Sequence, residues 1–155
     1  MRFEQSNAEL SITLHLDDEP ADLTRDGLGA DILRVAVETM KASARAEQSP
    51  SGRAWAKLRT ATVGRKGHAL IGVESGEMIA ALDAGDTSIE PTSARWSYPK
   101  GATWDRAQGF HNGREGARFN APMIQPARPF IGWTDTAKEY ARTLIQASLH
   151  EPLLP

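Results

Sequence analysis

By type, the residues of this chain best suited to acid–base or metal chemistry are its four histidines, His15, His68, His111 and His150. They are scattered, and none stands three or four positions from another histidine or from a carboxylate in a recognisable ligand pattern. With no cysteine in the chain, thiolate metal sites, disulfide frameworks and cysteine nucleophiles drop out together. A serine nucleophile elbow needs Gly-x-Ser-x-Gly, whereas Gly72-Val-Glu-Ser-Gly76 has glutamate at the centre and serine one place late. Gly64-Arg-Lys-Gly67 lacks the spacing and the Lys-Ser/Thr pair of a phosphate loop. Gly27-Leu-Gly29 follows an acidic run rather than a strand, so a dinucleotide fingerprint also fails. Carboxylates are plentiful, but nothing marks two of them as a buried acid pair.

The remaining chemistry is electrostatic. Residues 1–50 hold ten acids against five bases, while 95–128 hold six bases (Arg95, Lys100, Arg106, Arg114, Arg118, Arg128) against Asp105 and Glu115. Opposed charge on two parts of a small domain suits contact between neighbouring subunits, and equally suits ordinary solvated surface. The arginine-rich stretch 95–119, with Trp96, Trp104 or Phe110 to stack on bases, is the one candidate for nucleic-acid contact. A sequence pI near 6.1 and the lack of a basic helix favour subunit contacts over it.

At 155 residues and 16.9 kDa the chain fits one domain, 1–155, large enough to bury a core unaided. Its 40% hydrophobic and 25% charged composition is that of a folded domain. The opening Met1-Arg2-Phe3-Glu4-Gln5 is not a signal peptide, and no apolar run nears the roughly 20 residues of a membrane span. A soluble chain made in the cytoplasm is expected.

Residues 10–16 alternate strictly, putting Leu10, Ile12, Leu14 and Leu16 on one face of a half-buried strand and Ser11, Thr13 and His15 on the other. From about 21 to 47, Leu28, Ile32, Val35, Ala36, Met40 and Ala44 recur at helical spacing. Ser49-Pro50-Ser51-Gly52 breaks that helix, and 56–63 suits a short one. The stretch 77–83 followed by 86–90 suggests strand, turn, strand about Asp83-Ala84-Gly85. From 91 to 125, dense glycine, proline and polar residues predict a long loop. Thr134 or Thr136 can then cap a final helix carrying Ala137, Tyr140, Ala141, Leu144 and Ile145; the second choice gives the box Thr136-Ala-Lys-Glu139.

Four stretches, in order, resemble the phage virion morphogenesis family of tail-completion and head–tail joining proteins. Ser51-Gly-Arg-Ala-Trp55-Ala-Lys-Leu58, with Thr62 after it, is similar to a Gly-x-Pro-Trp-x-Pro-Leu element, with Ala54 and Lys57 in place of its prolines. Lys66, Leu70, Ile71 and Ser75-Gly76-Glu77-Met78 resemble a Lys, Leu, Thr-Gly-x-Leu segment. Ala107-Gln-Gly-Phe110-His111-Asn112-Gly113 resembles a Tyr-Ala-x-x-His-x-x-Gly turn into a variable loop, at altered spacing. The most specific is Pro126-Ala-Arg128-Pro129-Phe130-Ile131-Gly132-Trp133-Thr134, running straight into the last helix. The prolines there impose an extended backbone, Phe130 is a large apolar anchor, and Gly132 permits a turn.

The resemblance implies an α+β fold, a small antiparallel sheet packed by a long N-terminal helix and a C-terminal helix. It implies a virion protein with no cofactor, metal or catalysis. Such a subunit joins a homo-oligomeric ring, commonly a hexamer, around the channel through which DNA passes, against neck, connector and tail-tube neighbours. A tail-terminator ring is the nearest alternative; a nucleic-acid-binding module and a hydrolase are the alternatives of other classes. The candidate residues are structural: Trp55 and Leu58 as loop anchors, Gly76 as a turn, Phe110 in the loop, and Phe130 and Gly132 as the hinge into the last helix. Arg128 is a candidate for pairing with a carboxylate of its own or a neighbouring subunit, the alternative being a surface arginine. The 91–125 loop is expected to reach a neighbour, so that deleting 100–118 would leave a folded monomer.

Overall fold

The structure, a computed structural model, describes residues 1–60, 63–64, 76–118 and 121–150, with the side chains of 114–118, 121–124 and 150 left aside. The alternating segment becomes the middle of the sheet. Strand β2 (Ser11–His15) pairs antiparallel with β1 (Arg2–Ser6) on one side and β4 (Ser93–Ser97) on the other, and β3 (Asp86–Glu90) closes the order β1-β2-β4-β3. Leu10, Ile12, Leu14 and Leu16 are all buried, each contributing roughly 2 kcal/mol by leaving water. The register carries two apolar rows across the sheet: Ile12 opposite Trp96, and Leu14 opposite both Phe3 and Ala94. Ala94 and Trp96 in turn face Ile89 and Thr87 of β3.

Two long helices cover this face. Helix α1 (Leu28–Arg45) buries Ile32, Leu33, Ala36, Val37, Met40 and Ala44. The expected start at 21 is corrected to 28. Asp22 Oδ1 accepts from both the backbone N–H and the hydroxyl of Thr24, at 2.9 and 2.6 Å, and a 3-10 turn over Arg25–Gly27 follows. Asp26 and Gly27 both have positive φ, which keeps the α-helix from starting earlier. The last helix, α4 (Asp135–His150), packs along α1 and buries Ala137, Ala141 and Ile145. The mixed α+β fold with long N-terminal and C-terminal helices is as expected.

Between these elements the expectations are corrected in three places. Residues 77–84 are helical rather than extended, with α2 (Glu77–Ala80) running into a 3-10 turn over Ala81–Ala84. Met78 and Leu82, four apart, bury one side of that turn, which is the helical period. Of the short helix expected at 56–63, residues 56–59 are irregular while Thr60 and Val63 are helical, as is Gly64; Thr62, Lys66, Leu70, Ile71 and Ser75 lie outside the described residues.

The third correction is the largest, because 91–125 is not a long loop. Pro91-Thr92 is a tight link between β3 and β4, α3 spans Trp104–Asn112, and β5 (Arg114–Arg118) pairs antiparallel with β6 (Ala121–Gln125) in a separate two-stranded ribbon. The apolar pattern of β4 rests on only Ala94 and Trp96, and that of α3 is diluted by Gly109, so neither shows as a periodic run. Ala107, Phe110 and His111 of α3 are core. Deleting 100–118 would therefore remove part of the core rather than leave a folded monomer.

Candidate functional site

The segment from Pro126 to Thr134 is an extended strap, and its backbone and side chains are hydrogen-bonded to β1, β2, α1, α3 and the loop that carries Trp55. The Arg128 N–H donates to the Phe110 carbonyl at 2.9 Å, and the Pro129 carbonyl accepts from the Trp55 indole at 2.8 Å. The Gly132 N–H donates to the Met40 sulfur at 3.3 Å. The Trp133 indole donates to the carbonyls of Glu4 and Thr13, tying the strap to β1 and β2. Thr134 ends it. Its hydroxyl donates to Thr39 Oγ1 at 2.8 Å and accepts from the Ala137 N–H at 3.1 Å, so Thr134 rather than Thr136 is the cap of α4.

Phe130 sits at the centre of a ring cluster, edge-on to Tyr98, Phe110 and His111 at centroid distances of 5.6–5.9 Å. Gly132 is favoured by its backbone, at φ +155, and a Cβ there would also stand 3.2 Å from Pro50 Cγ. Trp55 is buried and edge-on to Phe110, while Leu58 packs half-buried on the core. Gly76 lies at φ +65 immediately before α2.

The structure places Arg128 inside its own chain. It is 5% exposed, its Nε donates to the Ala56 carbonyl at 3.0 Å, and its guanidinium lies over the Phe110 ring. Burial pulls its proton affinity down from the usual value, and the charge of Glu47 pulls it back up.

His111, noted in the sequence only as a scattered histidine and within the Ala107–Gly113 stretch, was not among the candidate residues. It is 2% exposed, and its Nδ1 accepts the N–H groups of Phe130 and Ile131 at 3.3 and 3.4 Å. That leaves the proton on Nε2, which donates to Asn7 Oδ1 at 3.1 Å. Desolvation pushes its pKa down to about 4. Both ring nitrogens are engaged, so this imidazole is a neutral structural link and is not free to carry a proton for a substrate.

No substrate fits here. The space among Ala44, Trp55, Met78, Phe110 and Phe130 is about 10 Å³, at the lower limit for one water. Among the described residues no three His, Cys, Asp or Glu side chains gather as a metal site, and no helix is long and apolar enough to cross a membrane. For nucleic-acid stacking, Trp96 and Phe110 are buried, and Trp104 is half-exposed beneath Lys100. Arg95 is paired with Glu9, and Arg106 with Glu77 at 3.1 Å.

Two surfaces stand out among the described residues. One is the β5–β6 ribbon, whose strands meet each other and no other described helix or strand at any length. Its base is set by Gly113, at φ +78 and ψ 165, where a Cβ would come within 2.8 Å of the Gln125 carbonyl. The other is a groove of about 230 Å³ between α1 and the outer strand β3, floored by Leu33, Val37, Leu82, Ile89 and Trp96. Thr87 and Ile89 of β3, opposite Trp96 and Ala94 in the register, form its sheet side. No family model, curated protein or solved structure matches the chain.

Proposed function

We propose that this chain is a structural subunit of a tailed-phage particle, a tail-completion or head–tail joining protein that works as one member of a ring and catalyses nothing. The observation that carries this reading is a division of labour within the chain. The strap from Pro126 to Thr134, on which the family resemblance chiefly rests, is wholly engaged in holding its own fold together. The two strands of the ribbon that leads into it pair with each other, and no other described helix or strand packs on them at any length. Two-stranded ribbons are marginal in water on their own, so the ribbon gains most from a neighbouring molecule. A protein built in this way offers surfaces rather than a pocket.

Native mass measurement of the purified protein tests the reading, together with detection of the chain in finished particles of the phage that encodes it. A ring of several copies and a place in the virion are the expected results. A monomer at every concentration, or absence from particles, overturns the reading.

A further inference from the structure

We propose that the outer edge of β3 in one copy pairs antiparallel with the outer edge of β1 in the next copy, so that one sheet runs on from subunit to subunit. This inference rests on the ring reading and names the two edges that would close the ring.

Both ends of the strand order β1-β2-β4-β3 are open. Which backbone groups they offer follows from two bonds inside the sheet. The Tyr98 N–H donates to the Leu10 carbonyl and the Leu16 N–H to the Thr92 carbonyl, so even-numbered residues of 10–16 turn their backbone groups toward β4 and odd-numbered ones toward β1. By the register, Arg2, Glu4 and Ser6 then bond to β2, and the N–H and C=O groups of Phe3 and Gln5 face out. In the same way Asp86, Ser88 and Glu90 bond to β4, and those of Thr87 and Ile89 face out. No described residue hydrogen-bonds to these outward backbone groups. Neither edge carries a proline or a lysine, two of the usual blocks to edge pairing.

The two edges match. Three antiparallel steps separate β1 from β3, so a copy displaced along the sheet brings its β1 antiparallel to β3. With Ile89 opposite Phe3 of the next copy, Thr87 falls opposite Gln5, and the outward-facing residues of both edges meet as hydrogen-bonded pairs. The apolar row Phe3-Leu14-Ala94-Ile89 then continues into the next Phe3, which is only half-buried in its own chain. That ring would arrive beside Ile89, on the side wall of the α1–β3 groove. On the other face of the sheet the same register sets Glu90 opposite Arg2, Ser88 opposite Glu4 and Asp86 opposite Ser6, all exposed except Ser6. A slip of two residues in either direction puts Glu4 opposite Asp86 or Glu90, and a slip of one turns Phe3 away from the core face. Charge and pleat together therefore admit one register. Two different edges that fit each other form the heterologous contact that propagates around a ring.

The chain has no cysteine, so a disulfide reads the register directly. Glu4 and Ser88 meet as a non-hydrogen-bonded pair, with Cα atoms about 4.5 Å apart, inside the range a disulfide spans. Within one chain they stand on opposite edges of the sheet, about 14 Å apart by strand spacing, so a bond between them joins copies. The full chain with Glu4→Cys and Ser88→Cys, oxidised mildly after assembly, should give a ladder of covalent multimers, and neither single variant should. Thr87→Pro removes an outward N–H that its own sheet does not use. It should raise the concentration needed for half-assembly about tenfold, with circular dichroism unchanged. Glu90→Lys should raise it about fivefold, and adding Arg2→Glu should recover most of that loss; this exchange decides the matter if Thr87→Pro fails to fold. Rings that form from the double-cysteine chain without cross-linking, or that form as readily with folded Thr87→Pro, overturn the edge contact while leaving the ring reading intact. A wild-type protein that stays monomeric at all concentrations overturns both.

Discussion

The Nδ1 atom of His111 lies 3.3 Å from the backbone nitrogen of Phe130, so the imidazole accepts the amide proton at the centre of the strap while stacking edge-on against the same residue's ring. One side chain thus holds both the position and the polarity of the segment on which the fold turns. An imidazolium could not accept that proton, and protonation would break the link from the strap to α3.

Stability should accordingly depend on pH through this residue. The unfolded histidine titrates near its ordinary value of 6.5, whereas the folded one is held down to about 4. Above the first value neither state takes a proton and the link is intact. As pH falls from there to about 4, the unfolded state binds a proton that the folded state refuses, so stability falls. The pKa gap sets an upper bound of about 3 kcal/mol. Urea unfolding measured at intervals from pH 7.5 to 4 should show this loss. His111→Asn should be less stable at pH 7.5 and should flatten the slope in that window.

Trp55 makes a second test of the strap. Its indole donates to the Pro129 carbonyl, and Trp55→Phe keeps a ring against Phe110 while leaving that carbonyl without its donor. A loss of about 1–3 kcal/mol in urea unfolding is expected. Trp55→Ala, which also opens a cavity, should cost about 3–5 kcal/mol. If the two variants cost the same, the hydrogen bond is the whole contribution and the packing argument fails.

How much of this was legible in the residues follows from the range of the interactions. Leu10, Ile12, Leu14 and Leu16 announce their strand because one face of it is core and the other is not. Both long helices likewise declare themselves by period. Strand β1 does not, since Arg2–Ser6 is a polar edge strand with Phe3 as its one aromatic anchor against Trp133. The proline-braced strap was visible as a local pattern, and its burial followed from Phe130 and Gly132. Its partners were not. His111 reaches Asn7 across 104 positions and binds backbone amides, for which no residue spacing exists. Lys41 and Asp83 meet across 42 positions in the same way. Arg128, flanked by proline and alanine, gave no sign that a backbone carbonyl would be its acceptor.

The two threonines at the start of α4 separate by the same logic. Thr134 both caps the helix and joins it to Thr39 of α1, while Thr136 is exposed in the first turn. Thr134→Ala should cost about 1–2 kcal/mol, and Thr136→Ala should stay within about 0.5 kcal/mol of wild type. Equal losses would mean that the cap lies at Thr136 after all.

The ribbon and α3 are neighbours in sequence with opposite expected tolerance to deletion. Replacing 114–125 by a short glycine-serine linker removes two strands that pair with each other, leaving Gly113 and Pro126 to be rejoined beside the 2.9 Å hydrogen bond from the Arg128 N–H to the Phe110 carbonyl, with Ala127 N 2.9 Å from where a Gly113 Cβ would stand. The chain ends to be bridged are therefore already adjacent, and the loop-closure entropy falls rather than rises. A folded protein with wild-type near-ultraviolet circular dichroism is expected, since the buried tryptophans Trp55, Trp96 and Trp133 lie outside the deleted segment. Removing 104–112 instead takes out Ala107, Phe110 and His111, each buried, with the Phe110 side chain alone worth about 3–5 kcal/mol on truncation. That variant should be unfolded or recovered only as aggregate. A ribbon deletion that unfolds the chain would show that β5 and β6 are held to the core by more than their own pairing.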